Sequence, residues 1–175
     1  MRRSQTLHGG LVATRIEGLW RGVLVVGPPG SGKSDLALRA TSAGWRLVAD
    51  DRTVVFASQG RAFGRAPPAI RDLAEIRGVG IVRAASVPIA EIVLVVRCAA
   101  DPAGVERLPE PERTMVAGVA IPAIDLWPFE ESAPAKLLHA ARHLGAHRQQ
   151  AYQAALPRRR CADGGFEGTG LRQSG

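Results

Sequence analysis

Residues 22–26, Gly-Val-Leu-Val-Val, form an unbroken apolar run, the pattern of a strand covered on both faces. Gly27-Pro28-Pro29-Gly30-Ser31-Gly32 interrupts it, and a helical pattern begins near Lys33. Leu36, Ala37 and Ala40 share one helical face, Asp35 sits in the first turn, and Gly44 provides a stop. Residues 45–49 read as the next strand, running out at Asp50-Asp51. The texture then changes to short strands. Residues 53–56 and 61–63 flank Ser58-Gln59-Gly60, a hairpin turn, and Pro67-Pro68 closes that unit. Residues 91–98 form another strongly apolar strand, and 116–126 hold a second hairpin around Gly118 and Pro122. Ser132 is placed to cap a helix with Pro134 in its first turn, and Leu137, Leu138, Ala141 and Leu144 form its core stripe. A further helical piece is expected over 147–156, and a Gly-rich disordered tail over 157–175.

A length of 175 residues points to one domain, assigned here to residues 1–156. Hydrophobic residues at 46% exclude a wholly disordered chain. No apolar run reaches the roughly 18–20 residues of a membrane span, and no apolar segment follows Met1-Arg2-Arg3 as in a secretory leader. The net charge of +7 suggests polyanion attraction. The arginines, however, are scattered among acids and make no basic stripe, so dedicated nucleic-acid recognition is not expected. Cys98 and Cys161 make no disulfide framework and no zinc spacing, which fits a reduced, cytoplasmic protein.

The most informative segment is Gly27 to Ser34, GPPGSGKS, a full G-x-x-x-x-G-K-[ST] phosphate loop between a buried-type strand and a helix. Gly30 and Gly32 let the backbone curl until several N–H groups face one anion, and the following helix adds its dipole. Lys33 is expected on the β- and γ-phosphates and the Ser34 hydroxyl on Mg²⁺. Gly27 and Ser31 complete the loop. A phosphate loop implies a nucleoside triphosphate without naming the reaction. The chain has no asparagine, so neither a guanine-reading N-K-x-D motif nor a protein-kinase catalytic loop can be present.

Asp50 and Asp51 end the second strand. If that strand lies parallel and adjacent to 23–26, both run out at the ligand-binding edge of an open α/β sheet. Two carboxylates there can divide labour, one orienting metal-bound water and the other accepting a proton from an attacking hydroxyl.

GPPGSGKSDLAL, GWRLVADDR and AEIRGVGIV, the last at residues 74–82, together resemble the catalytic domain of the HPr kinase/phosphorylase family. The resemblance spans roughly residues 8–145, and the short length resembles the kinase-domain-only members found in some proteobacteria. It implies an α/β, PEP-carboxykinase-like P-loop fold with a mixed β-sheet and flanking helices. It also implies ATP and Mg²⁺ as cofactors, an HPr-like phosphocarrier as serine acceptor and a hexameric homo-oligomer. Asp51 resembles the acid that takes the serine proton and returns it in reverse phosphorolysis. Lys33 is similar to the phosphate-binding lysine, Ser34 and Glu75 to magnesium ligands, His8 to an active-site histidine and Arg107 to a catalytic arginine. An alternative is a nucleotide-binding regulatory module with little turnover. Two departures stand out. An insertion near residues 17–21 suggests a longer hairpin tip, and the family's Pro-Gly-Arg-Asn segment, tied to dephosphorylation, is replaced near residues 128–136.

Overall fold

The computed structural model describes residues 4–145; the helical piece over 147–156, the tail and Cys161 lie outside them. Ten strands and two α-helices follow in the order β1 (Gln5–Ile16), β2 (Leu19–Val26), α1 (Lys33–Ser42), β3 (Arg46–Ala49), β4 (Arg52–Ser58), β5 (Arg61–Arg65), β6 (Leu73–Ile76), β7 (Gly80–Arg83), β8 (Ala90–Cys98), β9 (Glu112–Val116), β10 (Val119–Leu126) and α2 (Ala133–His143). The architecture is α/β with a mixed sheet, as expected.

The eight-stranded sheet curls on itself. β2 pairs with β1 antiparallel and with β8 parallel, β4 joins β1, β5 joins β4, and β5 returns to β8 at Phe63↔Glu91 and Gly64↔Ala90. β10 extends the sheet parallel to β8, and β9 forms its far edge. β6 and β7 make a separate two-stranded hairpin.

Side-chain alternation along β1, β2 and β8 divides the core in two. Val12, Val23, Val25, Leu94 and Val96 face Leu36, Ala37 and Ala40 of α1 and Leu137 and Ala141 of α2. Leu11, Leu24, Ile92 and Val95 face into the curl with Val55 and Ala62. Both faces of the central strands are thus covered, which is why β2 and β8 read as continuous apolar runs.

Three hairpins turn on two residues, with both at positive φ: Glu17-Gly18, Gln59-Gly60 and Ala117-Gly118. This twist matches that of the flanking strands. The extra residues near 17–21 therefore do not lengthen a hairpin tip. Glu17 and Gly18 are the minimal turn itself, and residues 19–21 belong to strand β2, with Ile16 paired to Leu19. Helix α1 stops as expected: Gly44 takes φ +93, its N–H donates to the Thr41 carbonyl and the Trp45 N–H to the Ala40 carbonyl, a Schellman closure.

Two local expectations are corrected. β3 is parallel to β2 but not adjacent to it, because β1 lies between them, antiparallel to both, its residues 11–13 pairing with each. Their C-terminal ends still emerge on one edge. Ser132 precedes α2 as anticipated but makes no side-chain cap, since its backbone is already helical (φ −76°, ψ −3°). A capping hydroxyl needs an extended backbone to reach back to the first turn.

Candidate phosphate-binding site

The loop between β2 and α1 is shaped by its glycines. Gly30 (φ +77) and Gly32 (φ +88) occupy left-handed backbone that glycine adopts freely. At Gly32 the space is closed as well, since a Cβ would stand 2.8 Å from both Pro128 Cγ and Phe129 Cζ. Helix α1 begins at Lys33, with the Leu36 N–H donating to the Gly32 carbonyl. The first-turn N–H groups thus open toward the loop, where an anion is favoured.

Lys33 is only 8% exposed. Its ammonium donates to the carbonyls of Gly27 (3.0 Å) and Pro28 (2.9 Å). These neutral partners leave its charge uncompensated, and an incoming phosphate oxygen would make the stronger, charge-assisted bond.

Across the cavity lies the turn from β3 to β4. Asp51 has φ +58, a conformation that Asp tolerates better than most residues. Its carbonyl accepts the Gly9 N–H at 2.8 Å. The buried Thr53 hydroxyl donates to the Gly9 carbonyl at 2.7 Å. These bonds fix β1 against β4 and set His8 beside Asp51, with Nε2 3.4 Å from Oδ1. Asp50 turns the other way and accepts the Glu75 N–H through Oδ2 at 3.0 Å, tying the β6–β7 hairpin to the same edge.

One cavity of about 510 Å³ gathers these groups. Gly30, Gly32, Lys33 and Ser34 line it from the loop, His8, Asp50 and Asp51 from the β1–β3 side, Glu75, Ile76 and Arg77 from the hairpin, and Phe129 from beyond β10. Of the residues singled out in the sequence, His8, Gly30, Gly32, Lys33, Ser34, Asp50, Asp51 and Glu75 meet here.

Three do not. Gly27 lies beneath the loop. Ser31 turns its hydroxyl inward, where it would stand 2.7 Å from a Cβ on Gly27, so only the Ser31 backbone is available to a ligand. The neighbouring Cys98 thiol is pushed up by burial, opposed by the Ser31 hydroxyl and the Lys33 charge. Arg107 sits on the exposed stretch between Gly104 and β9 and is not among the cavity's lining residues, so the structure does not bring it to the site. Its role came from the family resemblance alone, across a stretch whose length local pattern does not constrain. Phe129 is the addition. Phe129 follows β10 and meets the loop only through tertiary packing.

Among the described residues no group of three or more His, Cys, Asp or Glu side chains forms a metal cage. The donor set does fit Mg²⁺ held together with a nucleotide, which keeps its waters and phosphate oxygens and takes one or two protein ligands. Ser34 and Glu75 supply such oxygens on opposite walls of the cavity.

The model of the HPr Serine kinase C-terminal domain family matches residues 1–156. The HPr kinase/phosphorylase of Brevibacillus brevis is 49% identical over 78 residues, covering 44% of this chain and 24% of the relative. That of Latilactobacillus sakei is 47% identical over 79 residues, covering 45% and 24%. The matched segment thus spans about a quarter of the length of these curated relatives. The structure of an HPr(Ser) kinase/phosphatase from Coxiella burnetii shares the fold, with a TM-score of 0.68 and 23% identity over 86% of this chain and 96% of that one.

Proposed function

The chain belongs to the HPr serine kinase C-terminal domain family, and from that premise we propose that it transfers the γ-phosphoryl group of ATP to a serine hydroxyl of an HPr-like phosphocarrier. The observation that carries the reading is the single cavity with the Lys33 phosphate loop on one wall and the His8–Asp51 pair on the other. Loop N–H groups and the α1 dipole hold the phosphates, and Lys33 exchanges its carbonyl partners for phosphate oxygens. Asp51 accepts the serine proton as the serine oxygen bonds to the γ-phosphorus. The bond from that phosphorus to the β-bridging oxygen breaks, and ADP leaves. His8 orients the Asp51 carboxylate through Oδ1. Ser34 and Glu75 would hold Mg²⁺, which when bound neutralises charge on the β- and γ-oxygens. Such transfer depends on positioning and electrostatics rather than on a covalent enzyme intermediate.

The forward direction is the better supported. The segment after β10 is Trp127-Pro128-Phe129-Glu130, without the Pro-Gly-Arg-Asn that the family resemblance ties to dephosphorylation. The same resemblance supports a hexameric assembly. The test is incubation of the full chain with γ-labelled ATP and an HPr-like carrier. Acid-stable, alkali-labile label on a carrier serine is the expected result. Nucleotide binding without label on the carrier would replace this reading with a regulatory nucleotide-binding module.

A further inference from the structure

The phosphoryl-transfer chemistry uses every wall of the cavity except one. Phe129 is 52% exposed and lines this cavity, yet it is held in place from several sides. Arg39, on α1, donates to the backbone carbonyls on both sides of it, Pro128 and Glu130. Trp127 meets it edge-on, with centroids 6.2 Å apart and planes at 68°. The ring edge rests on Gly32, occupying the space a Cβ would need. A ring pinned by its backbone against the phosphate loop, half exposed and lining the cavity, is a platform prepared for another flat surface.

Strand order says which part of a nucleotide reaches it. β2 delivers the phosphate loop. On one side of β2 lies β1, which brings His8 and, through the Gly9–Asp51 backbone bond, the proton acceptor. On the other side lie β8 and then β10, which leads directly into Phe129. A triphosphate seated on the loop with its γ-phosphorus toward Asp51 must direct its α-phosphate and nucleoside the opposite way. We propose that Phe129 is the nucleobase platform, on which the purine ring of the bound nucleotide stacks. This rests on the nucleotide reading above and adds to it the residue that recognises the base.

The test separates the base from the phosphates. Titration calorimetry on the full chain compares a non-hydrolysable ATP analogue with inorganic tripolyphosphate, both with Mg²⁺. Base–aromatic stacking removed by truncation corresponds to a loss of roughly 5- to 150-fold. Phe129→Ala is expected to weaken the analogue by that factor while tripolyphosphate affinity stays within about twofold. Phe129→Trp is expected to restore the analogue, with an added indole emission quenched by the analogue and not by tripolyphosphate. Equal loss for both ligands would make the ring a mere prop for the loop and overturn the proposal, as would no loss for either. Wild-type chain that binds neither ligand would instead overturn the nucleotide reading itself, and the platform with it.

Discussion

His8 Nε2 stands 3.4 Å from Asp51 Oδ1, and the main chain sets that distance. His8 pairs with Arg52 across β1 and β4, and the Gly9 N–H binds the Asp51 carbonyl. Both side chains are more than half exposed, so the contact adds little to stability. Its consequence is orientation: one carboxylate oxygen is engaged, and the other is left for a substrate proton.

Asp51→Asn separates chemistry from folding. Asn adopts the left-handed backbone at φ +58 almost as readily as Asp, so the melting temperature should stay near wild type. Phosphoryl transfer should fall by about 10²- to 10⁴-fold, the usual worth of a positioned proton acceptor, with nucleotide affinity nearly unchanged. Asp51→Ala should lose the same activity and additionally about 1 kcal/mol of stability from backbone strain. Calorimetry and carrier-labelling rates check both, and near-wild-type transfer by the Asn variant would remove Asp51 from the mechanism.

The loop and its helix were readable because every determinant is local: an apolar strand, three glycines, a lysine and a helical face within residues 22–44. The acid pair was readable for the same reason. Strand β1 was not identified, although five consecutive residues, Gly9 to Ala13, are fully covered. Two of those five are glycines, and the remaining apolar run is too short to signal a strand. That omission produced the misplaced neighbour for β3, since the strand between β2 and β3 precedes both in the chain. Closure of the sheet through Gly64 was equally hidden. A Cβ there would stand 2.4 Å from Leu11 Cδ2, a contact between residues far apart in sequence.

Gly32→Ala tests how tightly the segment after β10 is seated on the loop. The added methyl meets Pro128 and Phe129 at 2.8 Å and forces a non-glycine residue to φ +88. Strain and overpacking together should cost about 2–4 kcal/mol, lowering the melting temperature and weakening tripolyphosphate as well as nucleotide. Combining it with Phe129→Ala should recover part of that stability, because the ring clash is relieved while the backbone strain remains. Full recovery would mean that the left-handed conformation at position 32 is not required.

The far edge of the sheet carries a pH-dependent clamp remote from the cavity. Arg97 on β8 donates to both oxygens of Glu112 on β9, at 2.5 and 2.6 Å, and to both oxygens of Asp125 on β10, at 2.7 and 2.9 Å. Hydrogen bonding to Glu112, then to Asp125, pushes the guanidinium further up from its already high range. Hydrogen bonding to Arg97 in turn holds the Glu112 carboxyl below the usual glutamate range. A carboxylate whose pKa is lower folded than unfolded binds fewer protons in the native state. Its contribution is therefore complete above about pH 4.3, where a free glutamate titrates, and is lost as pH falls through the depressed native value. Glu112→Gln should accordingly melt below wild type at pH 7, and the gap should close as pH falls below about 4.3 and on through the depressed native value, where the wild-type carboxyl is protonated. Because the Glu112 side chain is about half exposed, at 53%, added salt should shrink the gap at pH 7. Paired thermal melts of the two proteins across this range isolate the effect from the other acids, which titrate in both. A gap that stayed constant into acid would show that Glu112 holds β9 by packing rather than by charge.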